Sequence, residues 1–251
     1  MYLPLEDLSN NKVYDAQIIK KDDDGIHLIL GNFMNSNFIT FNPNEIISIL
    51  SPKLNSYYKS KLYKNKIIKV KVSEYKKINK NKVEITANLV PNKKLLVLDV
   101  NGILLNRYNF NDFRRKKGIY NKYPNCESFL QYCCENFDVA IWSCCKKDNL
   151  EMNLLNKYNF VCILDQSNAK NCWPRKSVVS EEKPLFLKEI DTITNLVEGV
   201  ILDETNVLFI DNHYEKFELI PYGNGIIIPD ELDRKTLLKS NGFLVNLLNN
   251  Y

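Results

Sequence analysis

Four places in the chain carry residue types suited to phosphate chemistry, each beside an apolar run. They are Asp99 after "LLVL", Ser143 after "VAIW", Lys188 in "LFLKEI", and Asp211-Asn212 after "VLFI". The first is the most legible. In "KKLLVLDVNGILL", residues 93–105, the apolar run reaches a carboxylate and the chain then breaks at Asn101-Gly102. A buried strand that ends on a carboxylate beside a turn glycine is a common way to present a phosphate-handling aspartate. Two residues on, where a second acid is expected, stands Asn101. The functional question is whether such a pocket turns substrate over or only holds it.

These residues need a scaffold that gathers strand ends. From "KLLVLDV" onward, strands are separated by helical segments. In order come "CESFLQYCCENF", "DVAIWS", "KDNLEMNLLNKY", "FVCILDQ", "KPLFLKEID", "NVLFIDN", "GNGIIIP" and "RKTLLKSNGFLVNLLNNY". Such alternation predicts a mostly parallel sheet covered by helices. The runs 95–98, 139–142 and 207–210 are continuously apolar, as strands buried on both faces should be. In open sheets of this kind, reactive residues collect at the carboxyl ends of the strands.

The residue set and its order resemble the haloacid-dehalogenase (HAD) superfamily. The local sequence looks like its carboxy-terminal-domain phosphatase branch, which includes small nuclear phosphatases that act on RNA polymerase II. That branch writes a strand plus DxDx(T/V), then RPxxxxFL, hhhh(T/S), KDL, and hhhDNSP or hhhDDSP. This chain has "LLVLDVNGI", "YPNCESFL", "VAIWS", "KEI" and "LFIDNHY", from about residue 94 to the C-terminus. The resemblance implies Asp99 as a nucleophile that forms an aspartyl-phosphate. It implies Ser143 as a hydrogen-bond partner of the phosphoryl oxygens and Lys188 as a compact neutralising charge. Lys183 is a rival in "EEKPLFLKEI", but Lys188 occupies the KDL place. Mg²⁺ would be held by Asp99, the backbone carbonyl of Asn101, Asp211 and Asn212, a set of hard oxygen donors.

Three places depart from the pattern. Asn101 stands for the aspartate that protonates the leaving alcohol and activates water, Tyr123 for the arginine of RP, and His213-Tyr214 for SP. Missing acid–base help is worth roughly 10²–10⁴ in rate, or about 3–5.5 kcal/mol of barrier. His213 offers either a substitute acid–base group or a packing ring. Cys144 and Cys145 follow Ser143, but a thiol nucleophile needs a base partner that the sequence does not supply.

Residues 1–92 read differently. "KVYDAQIIKK", "IHLIL", "NFITFNP", "KIIKVKVSEY" and "KVEITANLV" form five short strands, with "NEIISIL" after the third and a helical segment in "KLNSYYKSKLY". This predicts a small Greek-key barrel of the OB type, with a Tudor- or SH3-like barrel as the alternative. The pattern is similar, over roughly residues 10–90, to the RNA-binding repeat of the largest protein of the bacterial small ribosomal subunit. Eleven lysines between Lys53 and Lys82, Lys80 among them, share that stretch with the single acid Glu74 and concentrate the net charge of +4 here. Alternation puts Lys69 and Lys71 opposite Ile68, Val70 and Val72, while Tyr57, Tyr58, Tyr63 and Tyr75 interleave with the lysines. A basic groove with stacking rings is how OB folds hold single strands. Lys69, Lys71 and Tyr75 are therefore nucleic-acid candidates, with a solvated lysine face as the alternative.

The seven cysteines show no CxxC, and the start has no basic-then-apolar leader, which points to reduced thiols in the cytoplasm or nucleus. The two histidines argue against a His-based zinc site. No apolar run reaches the roughly eighteen residues of a membrane span. The expectation is an α/β HAD-like parallel-sheet domain over 93–251, preceded by an OB-like β-barrel over 1–92. The function expected is Mg²⁺-dependent hydrolysis of phosphoserine or phosphothreonine in a protein, slowed by Asn101. Two alternatives are a pseudophosphatase that binds RNA or protein within a larger assembly, and an enzyme that clears phosphate from nucleic-acid ends. Partners expected are a phosphoprotein or other protein and single-stranded RNA, with no membrane.

Overall fold

The computed structural model describes residues 2–10, 12–34, 36–79, 82–106, 122–150, 152–178 and 180–251. Lys80 lies outside them. The chain divides into two compact units, residues 1–92 with 194–202, and residues 93–193 with 203–251. Among the described residues no helix is long and apolar enough to cross a membrane.

The first unit holds β1 (Val13–Asp22), β2 (Gly25–Met34), β3 (Asn37–Thr40), β4 (Ile46–Leu50), β5 (Ile67–Asn79) and β6 (Lys82–Val90). Five of these close a ring in the order β1-β2-β4-β6-β5 and back to β1. The β4–β6 pair is parallel and the others are antiparallel. "NFITFNP", expected as the third strand, is instead a hairpin partner of β2 with one further bridge from Phe41 to Leu3, and "IISIL" takes its place in the ring. Burial explains the exchange. β4 alternates buried Ile46, Ser48 and Leu50 toward the interior, whereas no residue of β3 is fully buried.

Helix α1 (Ser56–Ser60) starts at Asn55, whose side-chain oxygen accepts from the Tyr57 amide at 3.0 Å. It turns Tyr57 and Tyr58 into the core, so two of the tyrosines that interleave with the lysines are packing residues. Residues 194–202 join this unit through the backbone. Leu89 donates to Gly199 and accepts from Ile201, at 2.8 and 2.7 Å. Gly199 has φ +74°, and a Cβ there would sit 2.7 Å from the Leu54 Cα, so only glycine fits.

The second unit holds β7 (Leu95–Leu98), β8 (Asp138–Trp142), β9 (Ile163–Leu164), β10 (Lys170–Ser177), β11 (Ser180–Leu187), β12 (Val207–Asp211) and β13 (Gly225–Ile227). A parallel sheet runs β13-β12-β7-β8-β9. Every residue of β7, β8 and β12 is buried, which accounts for their unbroken apolar runs. The strand order reverses between β7 and β12, the place where an open α/β sheet leaves a crevice beyond its strand ends. β10 and β11 form a separate antiparallel hairpin. The sequence reading had no strand at β10.

Helix α2 (Cys126–Asn136) buries Cys126, Phe129, Leu130 and Cys133, an i, i+3, i+4, i+7 stripe. Two of the seven cysteines are thus core residues. Further along come α3 (Met152–Leu155), α4 (Ile190–Leu196), α5 (Arg234–Leu237) and α6 (Phe243–Asn249).

Candidate active site

The sheet register sets two carboxylates side by side. Leu98 pairs with Ile210, and the amide of Asp99 donates to the Ile210 carbonyl at 2.9 Å, so Asp99 lies beside Asp211 at the switch point. Both are buried, at 1% and 0% exposure. Two buried charges of one sign need counter-charge at contact distance.

Lys188 supplies part of it. It follows β11, and its Nζ donates to Asp211 Oδ2 at 2.6 Å and to Asp99 Oδ1 at 3.2 Å. Lys183 is exposed and takes no part. A second ammonium, which the sequence reading did not single out, belongs to Lys216 on the 3₁₀ turn Tyr214–Phe217. Its Nζ lies 2.9 Å from Asp211 Oδ1, 3.3 Å from Asp211 Oδ2 and 3.8 Å from Asp99 Oδ2. Burial alone would lower the pKa of both lysines. The charges of Asp99 and Asp211 outweigh it and hold both above the ordinary lysine value. Burial would likewise raise Asp211, but the two lysines hold it well below the usual carboxylate range. Lys188, Lys216 and Asp211 are therefore ionised near neutral pH.

The strap that carries Lys216 also anchors the hairpin. Glu215 accepts from the Ser177 hydroxyl at 2.6 Å and the Val178 amide at 2.8 Å. Glu218 takes both terminal nitrogens of Arg175, at 2.8 and 2.6 Å. The Lys188 amide donates to the Lys216 carbonyl at 3.3 Å. Both pocket lysines are thus fixed by one connected turn and hairpin.

Asn101 and Ser143 lie together. The Asn101 amide donates to Ser143 Oγ at 3.3 Å, and Ser143, buried just past β8, is tied by its own amide to the Leu164 carbonyl at 3.1 Å. The turn after Asp99 is held by Gly102 N donating to the Leu105 carbonyl at 2.8 Å and by Arg234 Nε donating to the Gly102 carbonyl at 2.6 Å. Gly102 has φ +87°, and a Cβ there would lie 2.3 Å from Asn212 Nδ2. Arg234 gives its remaining donors to the carbonyls of Ile228, Pro229 and Leu232. Its guanidinium lies 6.0 Å from the Tyr123 ring centre, at the place where the motif has an arginine of its own.

Asn212 tests the fit to a metal. Its Nδ2 donates to Asp230 Oδ1 at 2.7 Å and lies 3.1 Å from His213 Nε2. A carboxylate can only accept, so the amide nitrogen must face Asp230, leaving Oδ1 buried and without a hydrogen bond. Asp99 Oδ2 is likewise buried and accepts none. Two buried oxygens without donors suit a hard cation. Asp211 differs: its oxygens accept from both lysines and from the amides of Asn212 and His213, at 2.8 and 3.1 Å. The residues present thus fit Mg²⁺ through Asp99 and Asn212, with Asp211 serving the lysines. His213 Nε2, facing an amide NH₂, acts as an acceptor and is spent on orienting Asn212. Burial pushes the Cys144 thiol up to about 11 and also raises Cys145, so neither offers a thiolate.

The nucleic-acid candidates lie on either side of a break in the β5 register. β5 has a bulge between Val72 and Glu74. Before it, Lys69 and Lys71 lie opposite Val90 and Asn88 of β6, on the outer face; after it, Tyr75 lies opposite Ile85, whose side chain points inward. The bulge inserts one residue and reverses the alternation. Lys69 is also the register partner of Asp15 in β1. Lys69 and Tyr75 are exposed and Lys71 is half-buried.

The site residues Asp99, Asn101, Ser143, Lys188, Asp211 and Asn212, together with Lys216, Asp230 and Arg234, all fall within residues 94–249, which match the family model described as NLI interacting factor-like phosphatase. Among curated proteins none matches the chain. The family match covers more than half of the chain and the whole parallel sheet with its switch-point carboxylates; the chain belongs to the NLI interacting factor-like phosphatases, a HAD-like family.

Proposed function

We propose that the second unit is a phosphomonoesterase acting on phosphoserine or phosphothreonine in a protein, with slow turnover set by Asn101. The observation that carries this reading is the pair Asp99 and Asp211 at the switch point, bridged by Lys188 at 3.2 and 2.6 Å. A carboxylate at a strand end, with ammonium groups beside it to receive phosphoryl oxygens, is the minimum set for attack on phosphorus. HAD-like phosphatases generally use Mg²⁺. In this chain Asp99 Oδ2 and Asn212 Oδ1 would hold the ion, with Asp230 fixing the Asn212 amide. When bound, Mg²⁺ supplies positive charge against the phosphoryl oxygens.

The residues then divide the work. Asp99 attacks phosphorus, the bond to the alcohol oxygen breaks with its electron pair, and an aspartyl-phosphate remains. Lys188 offsets charge on the phosphoryl group, and Ser143 hydrogen-bonds it. Asn101 is no acid for the leaving oxygen and no base for the incoming water, so the departing alkoxide takes its proton from solvent and the attacking water gives one up to solvent. Phosphate leaves when water attacks the phosphorus and the Asp99 carboxylate is regenerated. The second reading, a module kept for binding, draws on the same residue: the side chain at 101 is an amide, no acid–base group, and is hydrogen-bonded to Ser143. The barrel's ring order and its parallel β4–β6 pair support an OB-type reading of the first unit.

The deciding experiment is hydrolysis of an aryl phosphate by the full chain with Mg²⁺. Slow turnover that disappears in Asp99→Asn supports the enzyme reading. A folded chain that binds phosphate without any turnover supports the binding module.

A further inference from the structure

The pocket's charge balance turns on two positions, one inside its motif and one beyond it. The motif writes an aspartate where this chain has Asn101, which removes one negative charge. Lys216, beyond the end of the motif, adds one positive charge against Asp211 at 2.9 Å and Asp99 at 3.8 Å. Together the two changes shift the pocket by the charge of one divalent cation. Asp99 and Asp211 are balanced by Lys188 and Lys216 before any ion is present. With an aspartate at 101 and no Lys216, the same pocket would carry two net negative charges and would repel a phosphate dianion until a metal offset them.

Lys216 is also placed to act on a ligand. It hydrogen-bonds Asp211 but stands 3.8 Å from Asp99 Oδ2, beyond hydrogen-bond distance, on a side chain 9% exposed. Asp99 Oδ2 accepts no hydrogen bond, so that corner of the pocket holds an ammonium with donors to spare beside the reacting carboxylate. An ammonium is a compact charge that can serve carboxylate and phosphate at once.

We infer that Lys216 lets this pocket capture a phosphate dianion without a divalent metal. The inference concerns capture, not turnover, and rests on the reading above that the pocket holds phosphate. Mg²⁺ binding through Asp99 and Asn212 then adds to a site that is already charge-competent.

The test is titration of the full chain with inorganic phosphate by calorimetry, once in EDTA and once in Mg²⁺. The wild type is expected to bind in both, with dissociation constants within roughly tenfold of each other. Lys216→Met is expected to lose roughly ten- to a hundredfold in EDTA, the worth of one charge-assisted contact, and to recover on addition of Mg²⁺. Lys216→Arg keeps the charge and is expected to bind in EDTA. Circular dichroism of each variant reports folding; should Lys216→Met unfold, the wild-type pair and Lys216→Arg still decide. Binding by the wild type in Mg²⁺ only overturns the inference and leaves the phosphate-pocket reading standing. Unchanged binding by folded Lys216→Met in EDTA overturns it as well. No binding under either condition overturns the phosphate-pocket reading, and this inference with it.

Discussion

Asn101→Asp returns a proton donor and acceptor to the position two residues after the nucleophile, and its consequences can be worked from the neighbouring groups. The side chain at 101 lies against Ser143 Oγ, 3.3 Å away, so the new carboxyl meets a hydroxyl able to donate to it. Restored acid–base help is worth roughly 10²–10⁴ in rate. Against this stands charge. The pocket's two carboxylates are balanced by Lys188 and Lys216, so a third ionised carboxylate leaves one negative charge in excess. That excess raises the new group's pKa toward neutrality, which favours a proton donor, and weakens phosphate capture, which Mg²⁺ can offset. The expected result at saturating Mg²⁺ is a kcat gain of roughly 10²-fold with p-nitrophenyl phosphate, the lower end of the range, about 2.7 kcal/mol of barrier. KM is expected to rise when Mg²⁺ is limiting. Asn101→Ala, which restores no proton, serves as the control and should show no gain. A folded Asn101→Asp variant that binds phosphate and Mg²⁺ yet gains nothing in kcat would refute the assignment of the missing step to this residue.

Further outcomes follow from other contacts. Asp230→Leu removes the nearer of the two acceptors that orient the Asn212 amide, and Mg²⁺ affinity by calorimetry should fall roughly 10–100-fold while the fold persists; unchanged affinity removes Asn212 from the ligand set. Gly102→Ala adds a Cβ at φ +87° and 2.3 Å from Asn212 Nδ2, and is expected to destabilise by more than about 1 kcal/mol in urea unfolding, with a wild-type midpoint as the contrary result. Stability should also form a plateau in pH. Asp211, lowered from 3.8, contributes stability that is whole above that value and is lost as pH falls toward its folded pKa; Lys188 and Lys216, raised from 10.5, contribute stability that is whole below that value and is lost as pH rises through theirs. Urea midpoints flat between about pH 5 and 10 and falling on both sides are expected, and a midpoint that stays constant at strongly acid and alkaline pH would contradict the ion cluster.

The strand-end residues were legible because of how a parallel sheet buries its strands. β7, β8 and β12 are covered on both faces, so each appears as an unbroken apolar run, and the first polar residue after it marks a strand end. Asp99, Ser143 and Asp211 were found in that way, and Lys188 through the motif. Lys216, Asp230 and Arg234 come from turns and a one-turn helix, where no period signals which side chain points inward. The only hint at Lys216 was a lysine one tight turn beyond a strand-end aspartate. The hairpin strand β10 was missed because "KNCWPRKS" is mostly exposed and carries Pro174, both features that mask a strand. In the first unit, "NFIT" and "IISIL" are both β-prone, and only closure of the ring decides which is central. The bulge after Val72 falls in "VKVSEYKK", which has no glycine to announce it.

The central claim is that Asp99 accepts a phosphoryl group, and trapping that group tests it most directly. The full chain is incubated with p-nitrophenyl phosphate and Mg²⁺, quenched rapidly in acid, and the peptide containing residue 99 is weighed and sequenced by mass spectrometry. Because Asn101 cannot activate water, the aspartyl-phosphate should accumulate on Asp99 in the wild type, fall in Asn101→Asp as hydrolysis speeds up, and be absent from Asp99→Asn. Turnover that continues in Asp99→Asn, with no phosphoryl group found on Asp99 in the wild type, would contradict the account.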